Sequence, residues 1–285
     1  MSNVKTPPAK SFRASFNKIS KGADAKSLVV SLAKACRVLE VFDGQEPELN
    51  LSEIGRRTNL DIGTVHRLVR TMVGLGYLQQ GENAKRYRLG LKVIDLGFNS
   101  ISRIHVQSLT RPILLSLVDS VIVSASVGVL DSSKIVYIDR VQVGLTPLGA
   151  TRGIGSRVPL YCSAIGRAIL AFLSSERRDQ ILEAEERVKL TPHTITSLRE
   201  IRQRIDEARE LGYAFSDQEM IPGVRALAAP ILDREGRPLA SLSVAAQSFS
   251  MPAEQFVEYA APKVLDAVRS VTKGFQMMSS ITPAE

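Results

Sequence analysis

The chain has 285 residues, 44% of them hydrophobic and 23% charged, which suffices for two ordinary domains or one large one with appendages. No apolar run reaches the length of about eighteen residues that a membrane-spanning helix needs, so a soluble protein with a sizeable core is expected. Its 37 Lys and Arg exceed 29 Asp and Glu for a net charge of +8, which suits nucleic acid or another acidic partner without choosing between them. Cys36 and Cys162 are too few for a disulfide framework and are expected as two buried, reduced thiols in a cytoplasmic protein. His66, His105 and His193 are scattered, with no ligand spacing, so no metal and no cofactor is predicted.

The charge is uneven. Residues 1–90 hold fifteen basic groups against eight acids, a balance of +7, and the other 195 residues hold twenty-two against twenty-one. Residues 1–26 carry six of those basic groups in a Ser-, Lys-, Pro- and Ala-rich stretch without apolar period, which reads as a disordered basic tail. From Ser27, Leu28, Leu32, Ala35, Leu39 and Phe42 recur on one helical face to about Asp43. Pro47 lies in the break that follows. A short helix is expected over Ser52–Arg57, a tight turn at Thr58-Asn59-Leu60, and a third helix capped by Asp61. There Val65, Leu68, Val69 and Met72 share one face, while Gly63, Arg67, Arg70 and Thr71 face the other way. Two short strands, Tyr77–Gln80 and Lys85–Leu89, flank a polar tip. This is the element order of a winged helix-turn-helix.

A linker helix of about fourteen residues starts at Leu91, and a body follows. Val121–Leu130 and Lys134–Val141 read as a hairpin around Asp131-Ser132-Ser133; Ser163–Leu173 and Glu176–Ala184 read as helices. A capping box, Ser197 to Glu200, opens a helix that Gly212 ends. Val224–Leu232 and Leu239–Ala246 are strands, and Pro252–Met277 is a helix that Pro262 should kink or split. Hairpin-linked strands mixed with helices make the chain α+β and mainly antiparallel.

A helix-turn-helix places its second helix in the major groove while the first crosses the backbone. Thr64, His66, Arg67 and Arg70 occupy the outer face of that helix, with Arg67 best suited to a bidentate contact with guanine. Ser52, Arg56 and Arg57 on the preceding helix, and Lys85, Arg86 and Arg88 on the hairpin, are expected at phosphates or an adjacent minor groove. A merely solvated polar face explains the same pattern, and His66 alone would carry no functional weight.

The segments SLVVSLAKACRVLEVF, LSEIGRRTNLDIGTVHRLVRTMVGLGYLQQ and KRYRLGLKVIDLG resemble the DNA-binding head of IclR-family transcriptional regulators. GSRVPLYCSAIGRAILAFL, VYIDRV and GYAFSDQEMIPGVRALAAPILDREGRPLASLSV resemble that family's effector domain. RVPLYCSAIGRAILA, and DQE followed by GVRALAAPI, are most similar to the branch with protocatechuate and 4-hydroxybenzoate regulators. The resemblance spans about residues 27–275. It implies an N-terminal winged helix-turn-helix domain (27–90), a linker helix (91–108) and a GAF-like α/β effector-binding domain (109–277), between tails 1–26 and 278–285. It also implies a homodimer or dimer of dimers on a palindromic operator of double-stranded DNA, a small organic acid effector, and RNA polymerase as a further partner.

On that resemblance the effector lies between the sheet and a helix that begins near Ser163, where the amides of Ser163, Ala164 and Ile165 would receive a carboxylate. Family positions that supply polar contacts match Ser216, its neighbour Asp217, and Ser243. Ala226 and Ala245 stand where other members present a thiol or hydroxyl, so this pocket is more apolar and, with Tyr161, Val158 and Ile165, suits an aromatic or larger aliphatic acid. Arg157 and Arg225 are carboxylate candidates or ordinary ion-pair partners.

The alternative is a small-molecule enzyme of α/β type with a helical interaction module. Cys162 at a helix start with His193 as base would be its catalytic pair, but no motif links the two. Gly149-x-x-x-Gly153-x-Gly155 lacks the Lys-Ser/Thr of a phosphate loop and the third glycine of a dinucleotide fingerprint. No catalytic residue is therefore assigned.

Overall fold

A computed structural model describes residues 29–42, 46–81, 83, 85–102, 106–143 and 153–279. The side chains of 98–102, 106–108 and 275–279 are excepted. The basic tail, His105 and Gly149 lie outside this set. The chain divides into two compact units, Met1–Ser100 and Ile101–Glu285. Among the described residues no helix is long and apolar enough to cross a membrane.

The first unit contains α1 (Val30–Glu40), β1 (Leu49–Asn50), α2 (Leu51–Thr58), α3 (Ile62–Gly74), β2 (Leu78–Gln80) and β3 (Arg86–Leu89), with α4 (Lys92–Ser102) at its end. α1 stops at Glu40, short of the expected Asp43. Val38, Leu49, Ile54, Val65, Val69, Met72 and Leu78 converge in one small core, which is why the apolar faces of three short helices hold together. Asn50 starts α2 with a complete capping box: its Oδ1 accepts from the Glu53 amide at 2.9 Å, and its own amide donates to Glu53 Oε2 at 2.8 Å. Asn50→Ala should cost about 1 kcal/mol, read as a lowered midpoint of the head in urea. Asn59, at φ 54°, makes the left-handed turn between α2 and α3. Gly90 closes the wing, because a Cβ there would stand 2.2 Å from the Gly76 carbonyl oxygen.

The second unit begins with α5 (Val106–Leu117) and the hairpin β4 (Ile122–Asp131) and β5 (Lys134–Gln142). β6 (Arg157–Pro159), α6 (Ala164–Leu170), α7 (Ser175–Ala184) and α8 (Leu198–Leu211) follow. β7 (Ala214–Asp217), β8 (Val224–Leu232), β9 (Pro238–Gln247) and α9 (Ala253–Ser279) complete it. All pairings in the six-stranded sheet β6-β5-β4-β9-β8-β7 are antiparallel. One sheet face packs Leu227, Leu242 and Val244 against Leu114 of α5 and Phe256 and Val264 of α9. The opposite face packs Ile135, Tyr137 and Ala228 against Ile165 and Ile169 of α6 and Ile201 of α8. The fold is thus α+β, a winged head and a sheet body with helices on both faces.

Several expected details differ. Pro262 neither splits nor ends α9. It sits on the exposed side, where water can satisfy the freed carbonyl, while the buried stripe through Phe256, Ala260, Val264 and Val268 holds the helix. α6 is shorter than Ser163–Leu173. At α8 only half of the expected box forms, Ser197 Oγ accepting from the Glu200 amide. Cys36 is exposed, so only Cys162 is the buried thiol.

Candidate functional site

In the head, Asp61 accepts from the Thr64 amide at 2.8 Å and so fixes where α3 begins. That start sets the helix phase: Val65, Val69 and Met72 turn inward, and His66, Arg67 and Arg70 stand exposed beside a half-buried Thr64. Ser52 and Arg56 are exposed on α2, and Lys85 on the wing. Arg56, Arg67, Arg70 and Lys85 form no ion pair among the described residues. Arg57 differs, because its guanidinium donates to the Val41 carbonyl at 3.1 Å and pairs with Glu46. Arg86 is likewise turned inward, donating to the Glu48 carbonyl at 2.9 Å and approaching Glu53 at 3.4 Å, and Arg88 lies 3.9 Å from Glu48. Arg57 and Arg86 therefore tie the head together, a role that the phosphate expectation did not foresee.

In the body, sheet alternation decides which residues share a face. Two rows of directly paired residues cross the α6 side: Arg140, Ser126, Ser243, Ala228, Ala214, and Gln142, Ser124, Ala245, Ala226, Ser216. Ser216 Oγ donates to the Cys162 carbonyl at 3.1 Å, which docks the turn before α6 over this floor. A Cβ on Gly128 would fall 2.9 Å from Ile165 Cδ1, so glycine there lets α6 settle against the sheet. Ser216, Ala226, Ser243, Ala164 and Ile165 are thereby brought to one place. Ser243 is only 8% exposed, and its hydroxyl has no hydrogen-bond partner among the described residues.

Other expected members do not join them. Asp217 follows Ser216 along β7 and so faces the α9 side, where its carboxylate takes the Arg225 Nε at 2.7 Å. Arg225 also donates to the Ser248 carbonyl at 2.9 Å and to that of Met251, clamping β8 to the approach to α9. Arg157 pairs with Asp131 at 2.5 Å on the surface. Tyr161 is buried, with its hydroxyl donating to the Val188 carbonyl at 2.6 Å and accepting from the Val188 amide at 3.0 Å. Ser163 spends its hydroxyl as the N-cap of α6, accepting from Gly166 and donating to Pro159.

Sequence reasoning missed Arg167 and Glu219. Both guanidinium Nη atoms donate to the two Glu219 carboxylate oxygens at 2.5 Å, and Arg167 Nε donates to the Tyr161 carbonyl at 2.8 Å. This buried fork fixes α6 against the segment after β7. The only available signal was an Arg inside an otherwise apolar helix, AIGRAIL.

An enzymatic thiol is not supported. Burial pushes the Cys162 thiol up to about 12, and no hydrogen bond joins it to exposed His193. Among the described residues no group of His, Cys, Asp and Glu could hold a metal ion.

Comparison with known proteins agrees with this geometry. Residues 98–273 match the family described as Bacterial transcriptional regulator IclR C-terminal, and residues 31–82 match the IclR helix-turn-helix domain. The transcriptional regulator KdgR of Escherichia coli is 32% identical over 82% of this chain and 88% of its own. The Pca regulon regulatory protein of Pseudomonas putida is 26% identical over 85% and 83%. An IclR-family regulator from Brucella abortus superposes with a TM-score of 0.67 at 28% identity, covering 89% of this chain and 96% of its own. These relatives are DNA-binding regulators, not enzymes, and they extend beyond the aromatic-acid branch. The chain belongs to the IclR family of transcriptional regulators, with a helix-turn-helix head that binds DNA and a C-terminal domain that binds an effector.

Proposed function

We propose that this regulator controls a catabolic operon and that its effector is a small organic acid, with an aromatic acid the best fit. The observation that carries this reading is the floor under α6, where the Ser243 hydroxyl, without a hydrogen-bond partner among the described residues, lies among Ala226, Ala228 and Ala245. A ligand acceptor placed there would receive a hydrogen bond from that hydroxyl. The three alanines give this floor an apolar surface of little bulk, which suits an apolar ligand body, and the resemblance of RVPLYCSAIGRAILA to the branch with protocatechuate and 4-hydroxybenzoate regulators supports an aromatic one. On the DNA, two copies would place their α3 helices at the half-sites of a palindrome, with His66 and Arg67 at base edges, Arg70 at a base edge or a phosphate, and Arg56, Ser52 and Lys85 at phosphates. The acid then changes operator occupancy only through different affinities for the DNA-bound and DNA-free conformations. Residues 91–108 are the hinge in this reading.

The test is a gel shift on the gene's own upstream region, with and without 4-hydroxybenzoate, protocatechuate and aliphatic acids. Ser243→Leu should abolish the response to acid, because the larger side chain fills the floor, while operator affinity in the absence of acid stays within about twofold of wild type. A Ser243→Leu protein that still responds places the ligand elsewhere.

A further inference from the structure

We propose that Ile62 reads a thymine methyl group in each operator half-site; this rests on the reading above that α3 lies in the major groove. Among the described residues, Ile62 is the only large apolar side chain of α3 that stands exposed, at 54%. Val65, Val69 and Met72 are buried in the core of the head, and Leu68 and Val73 pack against it. By helical period Ile62 borders the Val65 and Val69 stripe. As the first residue of α3, however, it projects past the end of that core, because helical side chains lean toward the N-terminus. One turn further on, exposed His66 continues its row, and Gly63, Arg67 and Arg70 complete the outer face.

The position suits a methyl group and not a phosphate. In a helix-turn-helix the N-terminal residues of the second helix meet the base edges. Next to Ile62, Asp61 is exposed, and its Oδ1 already takes the Thr64 amide at 2.8 Å. A fixed carboxylate at this end of α3 repels the strand backbones, which places the end over the floor of the groove. The apolar group that base pairs present on that floor is the thymine methyl. Gly63, exposed and without a side chain, leaves space beside Ile62 for the bases to approach. Thr64, the other residue here with a methyl to offer, is half-buried. Ile62 and Arg67 are separated by about 7.5 Å along the helix axis, so a thymine under the first would fall within about three base pairs of a guanine under the second.

The test uses the full chain and the footprinted operator from the gene's own upstream region, with each thymine in turn replaced by deoxyuridine in both half-sites. Uracil pairs as thymine does and lacks only the methyl. Burying one methyl is worth about a fourfold change in binding constant, so one symmetric replacement should weaken the wild type about 10-fold. Ile62→Ser should lose a similar factor on the natural operator, and the same replacement should then change nothing further. Arg67→Ala should keep the full methyl sensitivity, and Ile62→Val should keep part of it. The side chain is exposed, so Ile62→Ser should leave the urea midpoint of the head in place. The thymine scan on the wild type stands without any variant.

A scan in which no thymine matters overturns the methyl contact. So does a sensitive thymine that stays equally sensitive in Ile62→Ser. Either result leaves the major-groove reading intact where Arg67→Ala relaxes sequence preference. That reading falls as well if neither Ile62→Ser nor Arg67→Ala alters the preference for operator over random duplex.

Discussion

Glu219→Ala is expected to destabilise the C-terminal unit by about 3–5 kcal/mol, the largest loss that any single surface-neutral change should cause in this chain. The reason is not the strength of the Arg167–Glu219 attraction, since desolvating two charges offsets most of it. It is that Arg167 is 1% exposed and cannot reach water when its partner is removed. The carboxylate also takes the Ile195 amide at 3.3 Å, and the Glu219 carbonyl accepts from Thr194 Oγ1 at 2.6 Å, so three segments meet at this residue. Urea unfolding followed by far-UV circular dichroism should show the transition of the body moving to lower concentration while that of the head stays. The pair replaced together, Arg167→Met with Glu219→Leu, should regain most of the loss, because no charge is then stranded. A single variant with an unchanged midpoint would mean that the guanidinium finds solvent.

The contrast between the two units explains what the sequence made legible. In the head, the signals are local: Asp61 caps α3, Asn59 turns the chain, and a 3.6-residue apolar period phases three helices toward one core. In the body, the long hairpin strands, the Ser197 cap and the Gly212 stop were equally local. The short strands β1, β6 and β7 were not, since two to four residues carry no period and acquire their partners only in the folded sheet. α5 hid behind Pro112, which sits in its interior. The candidate site suffered most from phase. Counting by twos from Ile135 and Tyr137 puts Asp139 on the α6 face and Arg140 off it, and only the bulge at Ile138 reverses this. Asp217 leaves the Ser216 face for the complementary reason: neighbours in sequence point to opposite faces of a strand.

Arg67→Ala and Arg57→Ala should separate DNA contact from head stability. Arg67 projects from the exposed face of α3 with no ion pair among the described residues, so truncation removes nothing that the fold uses. Its cost should fall on the operator: about 1–3 kcal/mol of affinity, concentrated on one base pair of each half-site and accompanied by relaxed sequence preference. Arg70→Ala, if that side chain holds a phosphate, should instead weaken all sequences together and lower the slope of log affinity against log salt by about 1. Arg57 behaves differently because its guanidinium bridges the end of α1, at the Val41 carbonyl, to Glu46 while rooted in α2. Arg57→Ala should lower the urea midpoint of the head and leave the ratio of operator to random-duplex affinity unchanged in the protein that remains folded. A competition gel shift, run at several salt concentrations beside the unfolding curves, distinguishes these outcomes. Arg67→Ala with wild-type preference for the operator would remove that residue from base recognition and shift the reading of α3 toward His66 and Thr64.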